Sequence, residues 1–227
     1  MPRPARGGRA IHPQLEMPHR PSRHSRGTTI EDALPAIFLV RHGETAWTVS
    51  GRHTGLTDIP LTERGEDDAR RLGEHLRGWP VTRIFTSPLQ RARRTCELAG
   101  FGDTAEVDPD LVEWDYGDYE GLTSAQIRAG RPGWQIFRDG CPGGESLEVI
   151  GARADRVIAR LWALDCNIGL FSSGHIMRVL GARWLGLDVF GGRLLQLGTA
   201  TLSILGYEHS RSEPVIRLWN DARPGTE

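Results

Sequence analysis

The chain predicts an α/β fold, a three-layer α/β/α sandwich in which a largely parallel sheet carries helices on both faces. Two observations lead there. Beyond residue 35, short β-rich runs such as Ile37-Phe38-Leu39-Val40 alternate with stretches whose apolar residues recur at helical spacing. Helix-start signals stand at the head of those stretches, at Thr62, Ser87, Thr123 and Ser146.

Taken in order, the first strand covers 37–40 and runs into Arg41-His42-Gly43-Glu44-Thr45. A Gly- and Thr-containing loop spans 48–60. Thr62 then caps a helix with Ala69, Leu72 and Leu76 on one face. Residues 81–86 read as a second strand. Ser87 as cap and Pro88 at the first helical position open a helix running to about residue 98. Glu106 and Val107 belong to a short strand, and Thr123 with Gln126 forms a capping-box signature for a short helix. Ser146 caps the longest helix, with Leu147, Ile150, Ala154, Val157, Ile158, Leu161 and Leu164 at helical spacing. A strand at 168–172, a helix at about 176–185 and a closing strand pair at 200–207 and 215–219 complete the pattern. In open parallel sheets ligands lie beyond the carboxyl ends of the strands. His42, Ser87 and Ser173 each fall just past a predicted strand end, so one pocket is expected to gather them.

The 227 residues suffice for one folded domain, expected over 36–227. Residues 1–35 form an Arg- and Pro-rich tail with too little apolar surface to repay ordering, and they are expected to be disordered. The tail lacks the apolar stretch of a secretory signal, and its prolines argue against an amphipathic targeting helix. With 28 Lys+Arg against 29 Asp+Glu, the net charge of −1 gives no reason to expect nucleic acid or an anionic membrane as partner. The seven tryptophans are scattered rather than interleaved with basic residues. Cys96, Cys141 and Cys166 are odd in number and widely spaced, which indicates neither a disulfide framework nor a zinc site. No apolar run approaches a membrane span. The expectation is a reduced, cytoplasmic protein.

An imidazole at the lip of a sheet, flanked by Arg and Gly, can accept a phosphoryl group covalently near neutral pH. Phosphoryl transfer to water then needs cations on the non-bridging oxygens, an acid for the leaving oxygen and a positioned water. Arg41 and Arg91 offer guanidinium forks matched to phosphate. Arg93 and Arg94 read as a solvated basic face, and Arg91 by itself reads either way. The acid is sought in the loop Glu113-Trp-Asp115-Tyr116-Gly-Asp118-Tyr119-Glu120-Gly121, where a carboxyl among aromatic rings can stay protonated. Pattern alone does not choose among its four acids.

Arg41-His-Gly-Glu-Thr, Ser87-Pro-Leu-Gln-Arg91-Ala and Leu111-Val-Glu113-Trp-Asp-Tyr-Gly, in this order and spacing, resemble the histidine phosphatase superfamily, which includes the cofactor-dependent phosphoglycerate mutases. The likeness covers about residues 36–221. It implies the α/β/α fold, a phosphorylated nucleophile at His42, a phosphoryl clamp of Arg41 and Arg91, and a proton donor at Glu113. Thr48, Thr54, Gly55, Tyr116, Ser173, Gly174 and His175 complete the expected phosphate- and substrate-contacting set. The segments 50–62, 114–121 and 137–145 are most similar to the branch holding sedoheptulose bisphosphatase and bacterial acid phosphatases. The implied ligand is a small phosphorylated metabolite, a sugar phosphate by that branch, with no metal or other cofactor. His53, Thr54 and Arg138 read equally as substrate contacts or as loop structure.

Three departures from the family pattern matter. Thr48 stands where mutases carry an asparagine, and their lysine-bearing insert after the acid loop has no counterpart here; both favour hydrolysis over transfer between hydroxyls. The third is in Phe171-Ser172-Ser173-Gly174-His175-Ile-Met-Arg178, where Ser173 occupies the position of the family's second histidine. His175 lies two residues on, a displacement of up to about 7 Å along the chain. Three readings follow: a phosphomonoesterase slowed by Ser173, an impaired member that binds phosphorylated ligands, and a mutase.

Overall fold

The structure, a computed structural model, describes residues 34–222. The expected tail therefore lies, but for its last two residues, outside the described residues. Six strands form one sheet in the order β3-β2-β4-β1-β5-β6. They are β1 (Ile37–Arg41), β2 (Arg83–Thr86), β3 (Ala105–Val107), β4 (Ile168–Ser172), β5 (Leu202–Tyr207) and β6 (Pro214–Asp221). The pairs β1–β4, β2–β4 and β2–β3 are parallel; β5 runs antiparallel to both β1 and β6. The sheet is thus mixed and mostly parallel.

Side-chain alternation in β1 builds the layers. Ile37 and Leu39 enter one core with Leu170 of β4, Ile150 and Val157 of α6 (Leu147–Trp162) and Ile176 and Leu180 of α7 (Gly174–Trp184). Phe38 and Val40 enter the other with Leu72 and Leu76 of α2 (Glu63–Leu76) and Cys96 of α3 (Gln90–Leu98). A strand feeding two cores is apolar at every position, which is why residues 37–40 show no polar alternation. Three short helices, α1 (Ala46–Ser50), α4 (Ser124–Gly130) and α5 (Ile136–Asp139), lie in the long connections.

Caps expected from sequence form at Thr62, at Ser146 and in the Thr123/Gln126 box. The start of α3 differs. Ser87 and Pro88 precede the helix, which begins at Gln90 and lacks a side-chain cap at Leu89. Asp58 from the 48–60 loop supplies the acceptor instead, taking the Gln90 N–H at 2.8 Å. A remote carboxylate outcompetes the local serine, and no sequence window contains both. The longest helix also stops at Trp162, two residues before Leu164.

Order at the sheet edge depends on two glycines. A Cβ on Gly43 would lie 2.4 Å from the Gly65 carbonyl oxygen, and one on Gly65 would lie 2.2 Å from the Glu44 oxygen. The backbone after β1 therefore rests directly on the first turn of α2. Gly43→Ala is expected to destabilise the fold by about 1–3 kcal/mol through overpacking against backbone. Gly130→Ala, whose Cβ meets nothing within 4 Å, is expected to be neutral or stabilising by about 0.4–1 kcal/mol. Urea denaturation of both variants reads the difference.

Candidate active site

Parallel pairing brings the ends of β1, β4 and β2 to one edge. The His42 N–H donates to the Ser172 carbonyl and the Ser87 N–H to that of Phe171, both at 2.9 Å. Beyond this edge opens a cavity of about 540 Å³. Arg41, His42, Thr48, His53, Thr54, Glu113, Tyr116, Gly174 and His175 all line it. Of the expected set, Gly55, Arg91 and Ser173 stand behind this lining. Ser87 is buried away from it, its hydroxyl accepting the Leu89 N–H at 3.4 Å, so the edge does not gather all three residues into one pocket. Arg138 turns elsewhere, to Asp139 and the Gly133 carbonyl, and serves the loop.

His42 is only 3% exposed. Its Nδ1 is 2.8 Å from the Gly43 carbonyl and donates its proton there, which leaves the Nε2 lone pair free. Burial, then the positive charges of Arg41 and Arg91, hold the imidazole well below its ordinary 6.5. The ring is neutral at neutral pH, as a nucleophile must be.

Arg91 is fully buried and donates to the carbonyls of Thr54 (3.0 Å), Gly55 (2.7 Å) and Thr57 (3.0 Å). The loop carrying these carbonyls is in turn held by Glu120, which accepts the Gly55 and Thr57 N–H groups. One of the four acids left open by sequence is thereby a loop clamp. Arg41 donates to the Leu197 carbonyl, and its guanidinium lies 3.2 Å from where a Cβ on Gly174 would sit. Glycine there is what allows the guanidinium to pack against the start of α7.

Glu113 has the most constrained carboxylate of the site. Its Oε1 accepts the N–H groups of Trp114 and Ile176 at 2.8 Å, and Oε2 accepts that of His175 at 2.9 Å. Two of these donors belong to the first turn of α7, where the helix dipole attracts negative charge. Glu113 thus caps α7 from a distant loop. Ser173, at the N-cap position, makes no capping bond, because the amides it would bond are taken. Its hydroxyl is buried without a partner, as are Nε of Arg41 and Nε of Arg91. Among the described residues only Trp162 Nε1 shares that condition, and it lies outside the cavity lining.

His175 Nδ1 is 2.5 Å from the Tyr116 hydroxyl, and its ring stacks on His53 with centroids 6.0 Å apart. Burial, followed by Arg178, His53 and Arg41, holds His175 well below 6.5. Burial, followed by Glu113, holds Tyr116 well above 10, so its hydroxyl stays protonated.

Arg153 was not foreseen. It projects from the buried face of α6, forms a two-pronged ion pair with Glu145 (2.8 and 2.6 Å) and donates to the carbonyls of Asp110, Val112 and Glu113. Its signal was present: a charge three residues after Ile150, inside the apolar stripe, demands a buried partner.

A buried imidazole with a free nitrogen, unpartnered guanidinium N–H groups beside it and a fixed carboxylate define a site for phosphoryl chemistry on an α/β/α scaffold. The chain belongs to the histidine phosphatase superfamily (branch 1), whose profile matches residues 37–222. It is 40% identical over 195 residues to an acid phosphatase of Mycobacterium tuberculosis, covering 83% of this chain and 95% of the relative. It is also 40% identical over 187 residues to sedoheptulose 1,7-bisphosphatase of Saccharomyces cerevisiae, covering 68% and 69%. A solved structure of a Mycobacterium tuberculosis open reading frame product superposes with TM-score 0.79 at 36% identity, covering 82% and 97%. The chain is accordingly a phosphomonoester hydrolase of the histidine phosphatase type.

Removing the Arg153 charge strands Glu145 in the interior; Arg153→Met is expected to cost about 3–5 kcal/mol, read by denaturant unfolding. Acid also weakens the fold. His42 and His175 are held below 6.5, so as pH falls through that value the unfolded chain takes up protons that the native one refuses. Stability is full above about 6.5 and lost below it, by up to about 1.4 kcal/mol per pH unit for each proton. Calorimetric melting between about pH 7 and pH 5 is expected to show a steeper fall for the intact chain than for the His42→Asn/His175→Asn double variant.

Proposed function

We propose that the protein hydrolyses small phosphomonoesters, sugar phosphates in particular, through a phosphohistidine at His42, at a rate lowered by Ser173. The observation that carries this reading is the set of three unpartnered buried polar atoms: the Nε atoms of Arg41 and Arg91, and the Ser173 hydroxyl. Buried donors in native proteins find acceptors. A phosphoryl group on His42 Nε2 would bring to this edge the kind of acceptor that such donors lack.

In the proposed cycle the substrate phosphate docks against Arg41 and Arg91, and His42 Nε2 attacks phosphorus. The P–O bond to the leaving group breaks, and Glu113 delivers a proton to that oxygen. Glu113 Oε1 already accepts two N–H groups while Oε2 accepts one, so Oε2 keeps a lone pair through which a proton can pass. Glu113, now ionised, takes a proton from water as the water oxygen attacks the phosphohistidine; the P–N bond breaks, phosphate leaves and Nε2 recovers its lone pair. Tyr116, protonated and oriented by His175 at 2.5 Å, supports the oxygens as a neutral donor.

Ser173 contributes a hydrogen bond but no charge. Loss of one preorganised electrostatic donor costs about 10²–10³ in turnover. The same residue favours the second reading, a phospho-ligand-binding member with little turnover. A mutase is the weakest reading, since Thr48 replaces the asparagine and all 28 Lys+Arg residues are arginine, leaving no lysine anywhere in the chain.

Phosphate release across a panel of sugar mono- and bisphosphates is expected to fall by about 10³ or more in His42→Ala. Mass detection is expected to find an acid-labile phosphoryl group on His42 in the intact chain. Ser173→His is expected to raise turnover. Ligand binding without phosphate release in either protein supports the binding-only reading, and isomerised product without release supports the mutase.

A further inference from the structure

The backbone that leads into Glu113 has no regular element to fix it. Residues 112–116 belong to no helix or strand, yet Leu111 is fully buried and Glu113 is only 4% exposed. Buried carbonyls need donors. Here four successive carbonyls, from Asp110 to Glu113, receive them from two side chains on separate elements. Arg153 of α6 donates to those of Asp110 (2.8 Å), Val112 (2.6 Å) and Glu113 (3.2 Å). Ser172 of β4 donates its hydroxyl proton to the remaining one, that of Leu111.

Both side chains are fully committed to this loop. The five N–H groups of Arg153 all have acceptors, three on carbonyls and two on the Glu145 carboxylate. Glu145 is tied to the same loop: its N–H donates to the Asp115 carbonyl at 3.0 Å, and its carbonyl accepts the Trp114 indole N–H at 2.8 Å. Its carboxylate balances the guanidinium charge, so Arg153 acts on Glu113 through geometry. Ser172 is fully buried and works in two directions. Its carbonyl accepts the His42 N–H at 2.9 Å, while its hydroxyl holds Leu111. One residue thereby spans from the nucleophile to the acid loop.

Protonation of a leaving oxygen needs donor and acceptor within hydrogen-bond reach as the P–O bond breaks. A misplacement of about 1 Å costs about 10²-fold in rate. The carboxylate of Glu113 takes its direction from the N–H groups of Trp114, His175 and Ile176. Its backbone takes its place from Arg153 and, two residues earlier, from Ser172. Neither of these two lines the cavity.

We infer that Arg153 and Ser172 are positioning residues for the proton transfer, setting the distance between the Glu113 carboxyl and the oxygen that leaves phosphorus at His42. This inference rests on the reading of Glu113 as proton donor. It singles out one step. Departure of an alkoxide requires the proton, whereas 4-nitrophenolate, whose ring already carries the negative charge, leaves without it.

Steady-state kcat/KM for 4-nitrobenzyl phosphate and 4-nitrophenyl phosphate, substrates one methylene apart, tests it. That parameter covers the steps up to departure of the alcohol or phenol, so later hydrolysis of the phosphohistidine drops out. Ser172→Ala removes one oxygen and no charge; Arg153→Lys keeps the charge opposite Glu145 but loses the planar fork. In each variant, folded by circular dichroism, the benzyl substrate is expected to lose at least about tenfold more than the phenyl one. Inhibition by inorganic phosphate is expected to shift by less than about threefold, because the phosphoryl site keeps Arg41 and Arg91. Glu113→Gln sets the scale, with a selective loss of about 10²-fold or more. Equal losses on both substrates in either folded variant, or loss of phosphate inhibition alongside them, overturn the inference. With Glu113→Gln still selective, the proton-donor reading then survives alone. Equal losses in Glu113→Gln remove that reading and the inference with it. Ser172→Ala decides the outcome if Arg153→Lys does not fold.

Discussion

The Glu113 carboxylate joins segments that lie far apart in the chain, and the site depends on that junction. The first turn of a helix exposes backbone N–H groups that need acceptors. In α7 two of them are met by Glu113, from a loop more than sixty residues upstream. One contact therefore fixes the acid loop, sets where α7 begins and frees the Ser173 hydroxyl from its ordinary capping duty. Arg153 secures the loop from behind, through the carbonyls of Asp110, Val112 and Glu113. Pull on any of these groups and the carboxylate moves relative to His42.

The electrostatic arrangement around His42 follows from burial. Guanidinium groups stay charged even when desolvated, whereas imidazole gives up its proton. Placing Arg41 and Arg91 beside His42 therefore keeps the ring neutral and makes the same volume attractive to an anion. The cost is borne by backbone carbonyls: those of Thr54, Gly55, Thr57 and Leu197 accept from the two guanidiniums in place of carboxylates. Carboxylates at those positions would neutralise the pocket.

Much of this was legible in the sequence wherever the determining contacts are local. The strand expected at 37–40, which extends one residue further to Arg41, the caps at Thr62, Thr123 and Ser146, and the strand at 168–172 rest on neighbouring residues, and each formed in its expected place. His42, Arg41 and Glu113 were pointed to by pattern together with family resemblance. The failures share a cause. Asp58 capping α3, Glu120 clamping the 54–57 loop and Arg153 bracing the acid loop are long-range pairings between a charge and backbone groups. Nothing within a helical turn of Ser87 announces that Asp58 will displace it. The acid loop illustrates the same boundary: its composition announced a buried carboxylate without choosing among its acids, the family resemblance pointed to Glu113, and the register of α7 against the loop sets Glu113 at the helix start and Glu120 on the 54–57 loop.

The contact of Gly43 with Gly65 has a mechanical consequence. Backbone touching backbone leaves no flexible side chain to absorb displacement, so the histidine segment and the head of α2 translate as one stiff unit. His42, next to that contact, is carried on backbone with no room to recoil. Elsewhere on the cavity lining, Arg128 of α4 and Arg193 of the 189–194 turn stand on long exposed stems that can bend where the histidine segment cannot, a compliant rim facing an unyielding anvil.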